Sequence, residues 1–255
     1  MKIFSLIALA VIAAVPQLKA QYTEVDISPD VNADIQQYTL GGNYQLGGTQ
    51  LNAGGVPFAL AELGGNPFTT GVIQSPSSAG GFPSGNVGPF DYTFSLPAGT
   101  QATALYSLAN TAFGSYGTLV GSLIVTGTLG ETATLNLVEG VNIRDHNNDG
   151  FVNTLSDATV LTTDFLGGAP TVLSDQTRLD RQELLLGAAF AGDTIATIDF
   201  SGFAQGGDGA AFLAGLTLAN ANVPDSSLPL PLTAGLLVAV LAWAGARRRQ
   251  VSIPA

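Results

Sequence analysis

The amino-acid sequence predicts an all-β protein, a jelly-roll-like β-sandwich ectodomain between an N-terminal signal helix and a C-terminal transmembrane helix. Short segments alternating between apolar and polar residues recur from Gln21 to Asn222, with β-branched and aromatic residues on one alternate set. Clusters of Gly, Pro, Ser and Asn separate these segments, and no amphipathic helical pattern of useful length intervenes. Two uncharged apolar runs lie outside this region, one towards each end.

The front reads MKIFSLIALAVIAAVPQLKAQ. Lys2 gives a basic start, Ile3 to Val15 form an apolar stretch of thirteen residues, and Pro16 breaks it. Leu18-Lys19-Ala20 ends in a small residue, which suits cleavage between Ala20 and Gln21, so residues 1–20 are expected to be a secretory signal peptide.

Residues 21–222 are the expected sandwich. YTEVDIS, VPFALAEL, FDYTFSL, GSLIVTGTL, ATLNLVEGVNI, TIATIDFSG and AFLAGLTLAN read as strands, and LGGNYQLGGTQLNAGG and QSPSSAGGFPSGNVGP as loops. GTLGET around Gly130 reads as a hairpin turn. TRLDRQELLL, Thr177 to Leu186, fits a helical turn and a buried strand about equally. Many short antiparallel strands pack as two facing sheets, and their uneven lengths favour a jelly-roll-like sandwich over an up-and-down barrel. Phe94, Phe113, Phe165, Phe200 and Phe212 are the expected core anchors.

Residues 223–250 have three parts, followed by a short tail, 251–255. Val223-Pro224-Asp225-Ser226-Ser227 is polar, residues 228–246 carry no charge, and Arg247, Arg248 and Arg249 close the run. Nineteen residues rise about 29 Å as a helix, close to the roughly 30 Å of a bilayer's hydrocarbon core. Pro229 and Pro231 fall in the first turn, where the N–H groups have no intrahelical partner. Trp243 suits the far interface, and the arginines stop transfer and set the C-terminus on the cytoplasmic side.

Composition narrows the classes. Residues 21–222 hold eighteen acids against Arg144, Arg178 and Arg181, a balance of −15, which repels nucleic acid and anionic membrane surfaces. The absence of cysteine removes disulfides, thiol nucleophiles and zinc–thiolate sites.

The tripartite end resembles the PEP-CTERM group of bacterial sorting signals, in a variant with Val-Pro-Asp-Ser, through Val223, Pro224, Asp225 and Ser226, the apolar span and the arginines. Ser227 stands where that variant commonly has glycine. The resemblance implies an exosortase-type processing enzyme as partner, membrane residence through residues 228–246 before processing, and delivery to the cell surface or extracellular matrix. GGVPFALA and NIRDHNNDGFVNT are similar to segments of secreted β-sandwich domains that accompany such tails, and some relatives of that architecture bind sugars.

Within the body, Asp145-His146-Asn147-Asn148-Asp149-Gly150 places oxygen-bearing side chains at Asp145, Asn147 and Asp149, with glycine sixth, as calcium loops do. Ser156 occupies the twelfth position in place of a bidentate Glu, and an Asn/Asp turn bonding its own backbone is the alternative. No other cofactor is expected. His146, the only histidine, lacks a Gly-x-Ser-x-Gly partner and reads as a surface or loop residue rather than a catalytic one. Asp180 and Glu183 would serve glycoside hydrolysis only if they faced each other across a sugar, and ion pairing with the neighbouring Arg178 and Arg181 is the simpler expectation. AQGGDGAAF reads as a turn. The expectation is a non-enzymatic surface or matrix protein. The alternative is a carbohydrate-binding module, calcium-assisted or not, using loop aromatics such as Tyr44, Tyr92, Tyr106 or Tyr116. A secreted glycoside hydrolase comes third.

Overall fold

Strand β14, Ala210–Asn220, is buried along all but its last residue, and the rest of the protein is arranged around it. The computed structural model describes residues 20–35, 48, 50–75, 90–146, 152–164, 178–203 and 209–220, all within one unit spanning Ala20–Ala221. Among the described residues the protein is all-β, with no α-helix. In chain order the other strands are β1 (Gln21–Val25), β2 (Ala33–Asp34), β3 (Gln50–Ala53), β4 (Val56–Ala59), β5 (Ala61–Leu63), β6 (Asn66–Gln74) and β7 (Phe90–Ser95). They continue with β8 (Ala104–Ala112), β9 (Leu119–Gly127), β10 (Thr132–Val138), β11 (Leu161–Asp164), β12 (Arg178–Leu185) and β13 (Ile195–Gly202).

The larger sheet runs β11-β12-β8-β14-β6-β2, with β1 on the second half of β14 and β5 beside β6. The smaller runs β10-β9-β13-β7, and β3 and β4 form a separate hairpin. All these pairings are antiparallel. Leu105, Ala109, Ala211, Leu213, Leu216 and Leu218 of the larger sheet share one core with Phe94, Leu123, Val125, Leu137, Ile198 and Phe200 of the smaller, an arrangement consistent with a β-sandwich.

The smaller sheet alternates as the sequence predicts. Leu137 of β10 and Phe200 of β13 point inwards, while Thr93 donates to Asp199 (2.6 Å) across the wet face. The larger sheet is covered on both faces. Its second face packs Leu108, Phe212, Ala214 and Leu179 against Ala53, Val56 and Phe58 of the β3–β4 hairpin. A register shift between Leu213 and Gly215 switches parity, so that Leu213 before it and Leu216 after it enter the same core. Gly215 matters on the opposite face, where a side-chain carbon would lie 3.2 Å from Cδ1 of Phe58. Thr217 donates to the carbonyl of Pro57 (2.6 Å), and Arg181 to that of Ala53 (3.0 Å), which pins the hairpin down. The hairpin turns on Gly54 and Gly55, both at positive φ (62° and 88°), as a two-residue turn matched to strand twist requires.

Several expectations are met and others corrected. The hairpin at Gly130 joins β9 to β10, and Thr177–Leu186 contains a strand, β12. Phe94, Phe200 and Phe212 are buried. Phe113 is not: it is half-exposed at φ 66°, a left-handed backbone that favours glycine, because it leads the chain out of β8. Phe165 lies outside the described residues.

Candidate functional site

Strands β8 and β12 are paired from Ala104–Leu185 to Leu108–Arg181, and then they part. The gap is filled by the connection that follows β10. Thr111 N–H donates to Arg144 O (2.9 Å), His146 N–H to Thr111 O (2.9 Å) and Arg178 N–H to His146 O (2.9 Å). Residues 144–146 therefore serve as a short extra strand between β8 and β12. Backbone groups that would otherwise be buried without partners are paired this way.

The side chains of this wedge form a polar cluster in an apolar surround. Arg144 meets Asp180 with two parallel bonds, Nε to Oδ2 at 2.8 Å and Nη2 to Oδ1 at 2.9 Å, and the Asp180 side chain is 0% exposed. Asn110 Nδ2 (2.7 Å) and Thr162 Oγ1 (2.9 Å) also donate to Asp180. Arg178 donates to Asp145 O (2.9 Å) and to Asn153 Oδ1 (2.9 Å). Arg181 lies 4.9 Å over the ring of Tyr106, with Glu183 3.9 Å away. Asp180 and Glu183 are thus not a facing pair. Three residues apart on β12, they point to opposite faces, and Asp180 is held by Arg144, which sequence proximity did not single out as its partner. His146 is likewise corrected from surface to interior. It is 3% exposed, with Nδ1 donating to Thr111 O (3.0 Å) and its ring edge-on to Phe212 (centroids 5.6 Å apart).

Asp145 is the described member of the expected calcium loop; Asn147 and Asp149 lie outside the described residues. Asp145 is buried, and its Oδ2 accepts the Phe113 N–H at 2.8 Å. Beside it sits Glu139, a residue the sequence reading did not select. Glu139 is 1% exposed, and neither carboxylate oxygen has a hydrogen-bond partner. Burial pushes its pKa up to about 8; the nearby Thr111 hydroxyl opposes this and the charge of Asp145 adds to it. Gly114 and Gly209, at φ 137° and 113°, leave the space its carboxylate occupies. The available signal in the sequence was an acid immediately after an alternating strand and before a glycine, in VEGVN.

Of the four proposed aromatics, Tyr44 lies outside the described residues. Tyr92 and Tyr106 are half-buried, the first accepting from Asn32 Nδ2 (3.1 Å) and the second donating to Glu183 (3.2 Å). Tyr116 is 60% exposed. Its ring rests on Gly140, and its hydroxyl lies 3.2 Å from Thr154 Oγ1 and accepts from Asn153 N–H (3.4 Å). The Thr154 hydroxyl, with that amide, draws its phenol below the usual pKa. A separate cleft of about 460 Å³ is lined by Asp26, Ile27, Leu60, Glu62 and Gly64 among others, with no aromatic ring among its described lining residues.

The sorting residues Val223, Pro224, Asp225, Ser226 and Ser227, the apolar span 228–246, Arg247, Arg248 and Arg249, and residues 1–19 lie outside the described residues. Ala20 and Gln21 are both exposed, and Gln21 opens β1. Among the described residues, no helix is long and apolar enough to cross a membrane, and no three His, Cys, Asp or Glu side chains converge on one point. Compared with known proteins, the chain matches no family model, no curated relative and no solved structure.

Proposed function

We propose that this chain is a non-enzymatic exported protein of the bacterial cell surface or extracellular matrix, processed by an exosortase-type enzyme at its C-terminal signal. The observation that carries the reading is the order of parts: a folded unit whose described strands run from Gln21 to Asn220, then Val-Pro-Asp-Ser-Ser, an uncharged bilayer-length run and three arginines. The body is read as a jelly roll. Its support is the strand order β12-β8-β14-β6 in one sheet and β10-β9-β13-β7 in the other, with the chain crossing between sheets at β6–β7, β7–β8, β8–β9, β10–β11, β12–β13 and β13–β14. Residues 228–246 hold the precursor in the membrane, and the acidic body stays outside.

Mass spectrometry of the protein from its native cells tests this. The expected mature form begins at Gln21 and ends near residues 223–227. Recovery of the intact chain from the cytosol, with both apolar runs retained, would overturn the reading.

A carbohydrate-binding role is the second reading, favoured by Tyr116. Its ring is exposed, backed by Gly140 and fixed through its hydroxyl beside Asn153 and Thr154, which suits an aromatic platform with polar neighbours. A glycoside hydrolase has no corresponding support, because the one proposed acid pair is split across the two faces of β12.

A further inference from the structure

Thr111, Asp145 and Glu139 bring oxygen-bearing side chains together where β8 ends and the connection after β10 begins, and the protein leaves Glu139 without donors. Glu139 has two carboxylate oxygens without hydrogen-bond partners, and Oγ1 of Thr111, in a residue 0% exposed, is unbonded as well. Asp145 contributes a second buried carboxylate, whose charge acts on Glu139. The backbone adds a further acceptor. A carbon built on Gly209 would meet Glu139 Oε1 at 3.0 Å and the carbonyl oxygen of Phe113 at 3.3 Å, so both oxygens border one small space. At Gly114 a side-chain carbon would overlap the Glu139 carboxylate outright. The backbone is also strained here, with Phe113 the only described non-glycine residue at positive φ.

An apolar interior by itself disfavours the ionised form of Glu139. An ionised carboxylate without donors is costly to bury, and the charge of the neighbouring Asp145, which accepts the Phe113 N–H, adds to that cost at Glu139. A cation reverses the balance. Two carboxylates offset a divalent charge, and hydroxyl and carbonyl oxygens are the ligands a hard ion takes.

We propose that Glu139, Asp145, Thr111 Oγ1 and the Phe113 carbonyl form a binding site for a hard divalent cation, calcium by ligand type, with water completing its shell. Calcium accepts bidentate carboxylates and irregular geometry, whereas magnesium demands a near-ideal octahedron. The site shares only Asp145 with the loop pattern Asp145-Asn147-Asp149, and its central ligand is Glu139. It does not depend on the export reading. The ion would clamp the end of β8 to the segment that wedges β8 from β12, ordering the loop that carries Tyr116.

The test uses the purified full chain, stripped with a chelator and titrated with calcium ion alone while melting is followed by circular dichroism. Calcium is expected to raise the melting temperature by about 5 °C or more at saturation, and magnesium by less. Glu139→Gln should abolish the calcium response while leaving the chelated protein at least as stable as the parent, since a neutral amide replaces a buried acid. Thr111→Val should weaken the response; should Glu139→Gln not fold, this variant decides the question. No shift up to about 10 mM calcium, ten times the weakest constants of extracellular calcium modules, would overturn the proposal. So would a full response in Glu139→Gln, or in Thr111→Val where that variant decides. A response lost in Asn147→Ala with Asp149→Ala and retained in Glu139→Gln would replace it with the loop site.

Discussion

Asp180 offers a sharp test of how the interior is held together. Its side chain is 0% exposed and accepts four hydrogen bonds, two from Arg144 and one each from Asn110 and Thr162. Asp180→Asn keeps the shape, removes the charge and turns an NH2 group towards donors. The Arg144 side chain, 12% exposed, is left without its counter-charge. Removing one partner of such a pair costs about 3–5 kcal/mol. At about 2–4 °C per kcal/mol for a domain of this size, the melting temperature should fall by about 6–20 °C. Urea denaturation of Asp180→Asn, Asp180→Leu, Arg144→Met and an Arg144→Met/Asp180→Leu double variant checks it. The double variant should be more stable than Asp180→Asn, because it leaves no uncompensated charge. A loss below about 1 kcal/mol in Asp180→Asn, or strict additivity in the double variant, would refute the assignment of this pair as the anchor of the β8–β12 wedge.

Asp193 receives the Thr128 hydroxyl (2.6 Å) and the N–H groups of Leu129 (3.2 Å) and Thr194 (2.7 Å), and the Thr128 bond foremost holds its carboxyl below the usual 3.8, with Glu131 at the same turn. A depressed carboxyl stabilises above its unfolded value and loses that contribution as pH falls through the folded one. Asp193→Asn should therefore melt earlier than the parent at neutral pH, with the difference closing on acidification below 3.8; an unchanged difference in acid would refute the linkage. Tyr116→Ala should weaken binding to polysaccharide from the producing cells at least about tenfold while changing stability by less than about 1 kcal/mol, read by binding isotherm and melting curve. Phe58→Ala should cost about 3–5 kcal/mol in urea. In that background Gly215→Ala should be nearly neutral, although alone it costs about 1–3 kcal/mol by pressing on Phe58.

Periodicity and punctuation were enough to predict the all-β class, the Gly130 hairpin and strands such as β10 and β13, because each has one wet face and therefore alternates visibly. The two terminal apolar runs, the basic clusters and the acidic balance are also properties of the chain alone. β8 escaped that reading. In ALYSLANTA, Ser107, Asn110 and Thr111 are buried beside Leu105 and Leu108, since the β3–β4 hairpin covers the face that would otherwise be solvated. Alternation cannot signal a strand whose two faces are both dry. The polar cluster was hidden for a related reason. Arg144 reaches Asp180, His146 reaches the Thr111 carbonyl and Asp145 comes beside Glu139 only because β8 and β12 separate and a distant connection enters between them. Local spacing can place a residue on a face of its own strand, but long-range pairing decides which charge it meets and whether water reaches it.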